Sequence, residues 1–356
     1  MNEIYSPDAF LMKIFEMPYY VIGVKTLVNS LRLGVFEELK EPKTSDELAK
    51  VKNWNKKNTE IFLQTLRALK YVEKEKEKYK NTSDTNKYLV KSSEDYAGSV
   101  LASFGTDLGG VFQEDISSLL EINLDNKSYK FQNDEKVEDR VAYTEDDQID
   151  FSKMENTFRT IQSGYNLKQM KWLLSRVFKI NKGKTLLDLG CGAGMYSLAF
   201  SKEHSDIELT LYDLSSMGDI IGRSIELTEM KERAKLITGD FTKDDIGSGY
   251  DVIFSSSSIY AAKHCLDDFM GKIYQALNPN GIFVCIADGI DKDYSEPWDM
   301  VVSWFIYRMK DMYLEVTKDM VKDSAIKAGF VSLEKMSVIS SGGHLDVDIL
   351  QKIVKE

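Results

Sequence analysis

From Tyr20 to Leu39 apolar residues recur at helical spacing: Tyr20, Val21, Val24, Leu27, Val28, Leu31, Val35, Phe36 and Leu39. That pattern predicts short helices. Lys43-Thr44-Ser45-Asp46-Glu47-Leu48-Ala49 reads as the start of another, with Thr44 or Ser45 as its N-cap. Ile61, Phe62, Leu63, Leu66 and Leu69 mark a third helical stretch. Tyr71-Val72-Glu73-Lys74, a charged tip and Tyr79-Lys80-Asn81-Thr82 then read as a two-stranded wing. Asn123 to Asp150 breaks the pattern, being polar, acid-rich and poor in periodic apolar residues. It predicts loop with short helices. Helical spacing resumes at Met154 and continues through Phe158, Ile161, Tyr165, Met170, Leu173, Leu174 and Val177.

Beyond that point apolar runs alternate with helical stretches, as a mostly parallel sheet requires. Strands are predicted at 185–189, 207–212, 235–238, 251–255 and 282–287, with Asn278-Pro279-Asn280-Gly281 as a turn before the fifth. An aromatic helix around 298–312, a helix around 318–328 and closing strands near 331–338 and 344–351 complete the chain. The fold class is α/β. A Rossmann-like domain with a mostly parallel seven-stranded sheet is expected over 156–356, after a mainly helical winged-helix domain over 1–105. An acid-rich connector spans 106–155.

The composition narrows what this architecture does. The 356 residues suit about two domains. A net charge of −11 removes the electrostatic support for binding nucleic acid. The third helix also presents apolar side chains, and its polar side carries both signs, so packing and dimerisation suit the winged helix better than DNA. No apolar run is long enough to span a membrane. The first residues lack the charged start and continuous apolar core of a signal peptide. Cys191, Cys265 and Cys285 are widely spaced and fit reduced thiols in a cytoplasm. No Cys/His cluster has zinc spacing, so no metal is expected.

The chemistry concentrates in Leu186-Leu187-Asp188-Leu189-Gly190-Cys191-Gly192-Ala193-Gly194. It reads as a buried strand turning through alternating glycines into a helix near Met195. Glycines there let backbone amides approach a ligand, and the helix start adds partial positive charge. The spacing is Gly-x-Gly-x-Gly, not the Gly-x-Gly-x-x-Gly of dinucleotide binders. Asp188 would oppose a pyrophosphate but suits a ligand carrying positive charge. S-adenosylmethionine is such a ligand, with a sulfonium, an ammonium and no phosphate. A second strand ends in Asp213, placed to meet ribose hydroxyls. In such sheets ligands sit beyond the strand C-terminal ends, where Asp188 to Gly194, Asp213, Asp240 and Ser255 to Ser258 all fall.

The chain resembles the small-molecule O-methyltransferases of the caffeic-acid and acetylserotonin type along nearly its whole length. In the N-terminal part, Leu33-Gly34-Val35-Phe36-Glu37-Glu38-Leu39, Thr44-Ser45-Asp46-Glu47-Leu48-Ala49 and Thr65-Leu66-Arg67-Ala68-Leu69-Lys70-Tyr71 are similar to that family's winged-helix dimerisation domain. More specific are Asp188 to Gly194, Asp213-Leu214, Gly239-Asp240-Phe241 and Ala328-Gly329-Phe330. The resemblance implies S-adenosylmethionine as cofactor, a small-molecule acceptor and a homodimer. It places the methionine part against Asp188, Gly190, Gly192 and Gly194, the ribose on Asp213 and Leu214, and the adenine by Asp240 and Phe241. Ser255 and Ser256 complete the expected cofactor set. The helix around 298–312 lies where the family inserts substrate-contacting residues. Tyr165, Trp298, Trp304 and Phe305 are therefore candidates for lining an aromatic or planar acceptor.

One departure matters. The family's base is a histidine just after the fourth strand. Counting back from His264-Cys265, which resembles a family dipeptide, that position falls on Ser258; counting forward from Asp251, it falls on Tyr260. Neither is histidine. Asp288 stands where the family has glutamate, and Glu315 resembles its second glutamate. The catalytic candidates are Asp288, Glu315, Tyr260 and His264. Three explanations stay open. The acceptor is acidic enough to need no strong base, as a thiol or an activated phenol would be. Or Asp288, Glu315 or Tyr260 supplies the base. Or the protein binds the cofactor without methylating, as a winged-helix regulator or a catalytically silent relative.

Overall fold

A computed structural model describes residues 9–98, 101, 155–309, 315–340 and 343–353, with backbone alone at several positions of 9–19 and at 305–309. The expected connector lies largely outside the described residues. The chain divides into two compact units, Met1–Phe112 and Gln113–Glu356.

In the first unit the predicted short helices are one long helix, α1 (Ala9–Arg32), followed by α2 (Val35–Glu38). They part at Gly34, whose φ of 66° is left-handed and suits glycine. Thr44, not Ser45, caps α3 (Ser45–Lys52). Its Oγ1 accepts from Glu47 N–H at 3.2 Å, and its own N–H donates to Glu47 Oε2 at 2.7 Å. This reciprocal pair satisfies two amides that the helix leaves unpaired. Asn55 caps α4 (Lys56–Ala68) by one bond, its Oδ1 accepting from Asn58 N–H at 3.0 Å. β1 (Val72–Glu75) and β2 (Lys78–Asn81) pair antiparallel as the wing. The buried Tyr79 ring fixes the wing to α4, its hydroxyl donating to Glu60 Oε1 at 2.8 Å. α5 (Ser83–Tyr88) follows, capped by Thr82 where the sequence reading had only the wing's end.

The second unit opens with α6 (Glu155–Ile161) and α7 (Gly164–Asn181). It then alternates β3 (Thr185–Leu189), α8 (Met195–Glu203), β4 (Glu208–Asp213), α9 (Gly218–Leu227), β5 (Ala234–Thr238) and β6 (Tyr250–Ser256). A 3₁₀ segment (Ile259–Cys265) leads to α10 (Leu266–Ala276), β7 (Leu277–Ala287), α11 (Trp298–Met309), α12 (Met320–Lys327), β8 (Phe330–Ser340) and β9 (Gly343–Lys352). The sheet order is β5-β4-β3-β6-β7-β9-β8. It is parallel through β7, and β9 runs antiparallel to both neighbours.

All seven expected strands form. The predicted turn at 278–281 lies inside β7 instead. Leu277 pairs with Tyr250 and Ile282 with Val252, so the four residues between them bulge from the ladder. A Cβ on Gly281 would lie 2.8 Å from Asn278 O, so the bulge closes around a bare backbone.

Alternation along β3 builds two cores. Leu186 enters the layer under α7, α8 and α9, whereas Leu187 and Leu189 enter the layer under α10 and α12. Asp188 thereby falls on the α8 side. Strand order reverses between β3 and β6, where the strand ends diverge into the crevice that binds ligands in open α/β sheets. Among the described residues no helix is long and apolar enough to cross a membrane, and no side-chain group could hold a metal ion.

Candidate active site

Three left-handed glycines shape the turn from β3 to α8, with φ of 72° at Gly190, 59° at Gly192 and 72° at Gly194. Gly190 N–H and Cys191 N–H both donate to Tyr212 O, at 2.8 and 3.1 Å, which folds the loop over the end of β4. Asp213 sits beside it. Its Oδ2 accepts from Gly192 N–H at 2.7 Å and its Oδ1 from Leu214 N–H at 2.8 Å. Each carboxylate oxygen has a second acceptor position in addition. Leu214 itself is buried.

Asp188 is buried, and Ser197 Oγ donates to its Oδ2 at 2.5 Å. Burial pushes this carboxyl up to about 7, against the pull of Ser197 and with a smaller push from Asp213. The folded state therefore holds the proton more tightly than the unfolded chain, and stability is lost as pH rises from about 4 to about 7. Asp188→Asn should raise the thermal midpoint of the cofactor-free protein at pH 8 and leave it unchanged at pH 4. Equal shifts at both values would contradict this burial effect.

Asp240 and Phe241 lie just past β5. Asp240 Oδ1 accepts from Thr242 N–H at 3.0 Å and from Thr242 Oγ1 at 2.5 Å, and Lys243 Nζ lies 3.1 Å from Oδ2. Burial raises its pKa, but these partners outweigh it and the carboxyl stays below its usual range. Lys272 braces the same loop by donating to Phe241 O, Thr242 O and Asp244 O at 2.9–3.0 Å. Phe241 packs against Tyr212 and Phe269. Ser255 is buried and Ser256 half-buried at the end of β6.

The histidine-shaped gap resolves differently for its two alignments. Ser258 Oγ donates to Leu189 O at 2.7 Å and lies 2.8 Å from Ser255 Oγ. Its Cβ would be 2.3 Å from one built on Gly190. Ser258 is thus a strap joining the ends of β6 and β3. Tyr260 is half-buried against the α10 layer. His264 is exposed on a cleft of about 530 Å³ that Lys263, Thr317 and Lys327 also line.

Asp288 and Glu315 come together beyond β7. Asp288 Oδ2 accepts from Val316 N–H at 3.1 Å, so the residue after Glu315 holds it. Burial pushes Asp288 up to about 6. Bonds from Val316 and Trp304 and the charge of Lys263 oppose that rise, while Glu315 adds to it. Glu315 is 0% exposed, and Tyr294 Oη donates to its Oε1 at 3.0 Å. Trp304 packs on the core and directs its indole at Asp288. Trp298 is 67% exposed and Tyr165 41% exposed, at the starts of α11 and α7. The side chain of Phe305 lies outside the described residues.

Gln162, Ser197, Tyr294 and Lys272 join this region without any motif to announce them. Each sits in a different segment and acts through a contact that only the fold creates.

The donor set fits S-adenosylmethionine. Two carboxylates flank a glycine backbone at the switch point, an arrangement that repels pyrophosphate and suits a cation. A cation there would also favour the ionised form of Asp188. Residues 162–309 match the model of the methyltransferase domain family. That match takes in the glycine loop, Asp213, Asp240 and Asp288, and leaves the first unit outside it.

Among relatives of this chain, an uncharacterized protein of Methanocaldococcus jannaschii is 28% identical over 284 residues, covering 78% of this chain and 70% of that protein. The S-adenosyl-L-methionine-dependent methyl transferase PigF of a Serratia species is 22% identical, covering 77% of each. The structure of human N-acetylserotonin methyltransferase in complex with S-adenosylmethionine superposes with a TM-score of 0.70 at 17% identity. That match covers 99% of this chain and 100% of that one. Its fold is shared over both units.

Proposed function

We propose that this methyltransferase acts on a hydroxyl of a small aromatic or planar acceptor, and that Asp288 takes the acceptor's proton. The observation that carries the reading is the pair of half-buried Asp288 and buried Glu315, assembled with Trp304 beyond β7. When bound, S-adenosylmethionine supplies an electrophilic methyl group. The residues must align the acceptor with it, and alignment alone is worth up to about 7–11 kcal/mol in well-oriented systems. Asp213 would hold the ribose, and the glycine loop with Asp188 the cationic end. Leu214, Asp240, Phe241, Ser255 and Ser256 would frame the rest of the nucleoside. Val316 N–H and the Trp304 indole hold Asp288 in place, and a further acceptor position on its carboxylate would receive the hydroxyl proton. Tyr294 anchors Glu315 behind it. Ser258 does not serve as base in this reading, because its own proton is committed to Leu189 O. Tyr260 and His264 are the remaining basic candidates. Trp304, Tyr165, Trp298 and Phe305 are the candidates for contacting the acceptor.

The test is a cell extract supplied with isotopically labelled S-adenosylmethionine, read for metabolites that gain the label on oxygen. Label on nitrogen or carbon would overturn the choice of atom. Failure to label any acceptor, despite cofactor binding, would favour a silent relative or a winged-helix regulator.

The same reading assigns the first unit to self-association. Ile22 and Val24 on α1 are 57% and 44% exposed, on a helix with apolar residues around much of its circumference. A second copy of this chain is the occupant proposed for that surface, and a monomer in sedimentation would exclude it. The three free cysteines suit the reducing cytoplasm.

A further inference from the structure

Gln162 lies in the short link between α6 and α7, outside every motif above. Its side-chain amide meets the glycine loop twice. Nε2 donates to Cys191 O at 2.8 Å, and Oε1 accepts from Met195 N–H at 3.0 Å. These two groups bracket the loop: one is the carbonyl after Gly190, the other the first amide of α8. Between them sits Gly192, where an added Cβ would lie 3.0 Å from Gln162 Nε2 and 3.6 Å from Phe158. On its other side Gly192 N–H donates to Asp213 Oδ2. The Cys191–Gly192 peptide unit therefore links the two side chains, its carbonyl accepting from Gln162 and its amide donating to Asp213.

We propose that Gln162 is a positioning residue for the cofactor, holding the glycine loop so that Gly192 sets the orientation of Asp213. A primary amide suits this task because it is one donor and one acceptor on a rigid plane. Leucine offers neither group. Glutamate keeps the acceptor for Met195 N–H but turns a second oxygen toward Cys191 O. Once protonated, glutamate regains a donor and becomes nearly isosteric with glutamine. The inference rests on the cofactor alone and is independent of the acceptor.

The experiment is calorimetric titration of folded wild type, Gln162→Leu and Gln162→Glu with S-adenosylhomocysteine at pH 8 and pH 5, beside their thermal midpoints. Loss of a paired donor and acceptor predicts a Kd raised about 10-fold in both variants at pH 8. At pH 5 the Gln162→Glu value should move back toward wild type, and the Gln162→Leu value should not. Arg159 on α6, Asp188 on β3 and Asp213 on β4 are charged groups on the surrounding elements. They are common to all three proteins, so each comparison is made as a ratio to wild type. A Kd within twofold of wild type at pH 8, even with a lowered thermal midpoint, would overturn the proposal. It would leave Gln162 as a packing contact. Should Gln162→Leu fail to fold, the pH dependence of Gln162→Glu alone decides: an unchanged ratio between pH 8 and pH 5 refutes it.

Discussion

Gly190→Val should abolish cofactor binding and destabilise the protein by about 2–4 kcal/mol. Two independent causes act at this one atom. Gly190 has φ of 72°, a conformation that β-branched residues scarcely adopt. A Cβ there would also fall 2.3 Å from Ser258 Cβ and 2.6 Å from Ser258 Oγ. The strap at Ser258 is itself bonded to Leu189 and Ser255, so it cannot simply swing aside. Denaturant unfolding measures the first effect and calorimetry with S-adenosylhomocysteine the second. Gly190→Ala should show the same collision with less backbone strain. Adding Ser258→Gly to it should recover part of the lost stability. No recovery in the double variant would show that strain, not the clash, dominates.

Asp288→Asn should lower kcat by about 10²–10⁴ while leaving affinity for S-adenosylhomocysteine within a factor of two. Asparagine keeps the shape and still accepts from Val316 N–H, so what is removed is the capacity to take a proton. The pH profile supplies a second signature. Asp288 must be ionised to act as base, so wild-type kcat/KM should rise with pH through about 6. That limb should disappear in Asp288→Asn. A variant with near-normal kcat, or one that keeps the limb, would remove Asp288 from the proton's path. Tyr260 or an intrinsically acidic acceptor would then be the reading to pursue.

The fold was legible because its signals are local. Apolar runs marked all seven strands of the main sheet, and the run from Lys43 to Ala49 marked a helix start to within one residue. The glycine turn carries its own conformational requirement, so it could be placed on the loop after β3 without knowing what surrounds it. Misreadings arose where a distant partner decides. Asn278 to Gly281 has every mark of a turn, yet the pairing of Leu277 with Tyr250 draws it into a strand. The helix α1 looked like several because its apolar residues do not hold to one face. At the site, Asp188, Asp213 and Asp240 are readable because each lies at or just past the C-terminal end of a strand. Gln162 and Tyr294 are not, since each acquires meaning from a contact with a segment more than 20 residues away.

The stitch between β6 and β3 constrains which side chains position 258 can carry. Leu189 O, Ser255 and Ser258 are knitted together there, and Gly190 presses on the same spot. A larger side chain at position 258 would break two hydroxyl contacts and crowd a glycine turn at once.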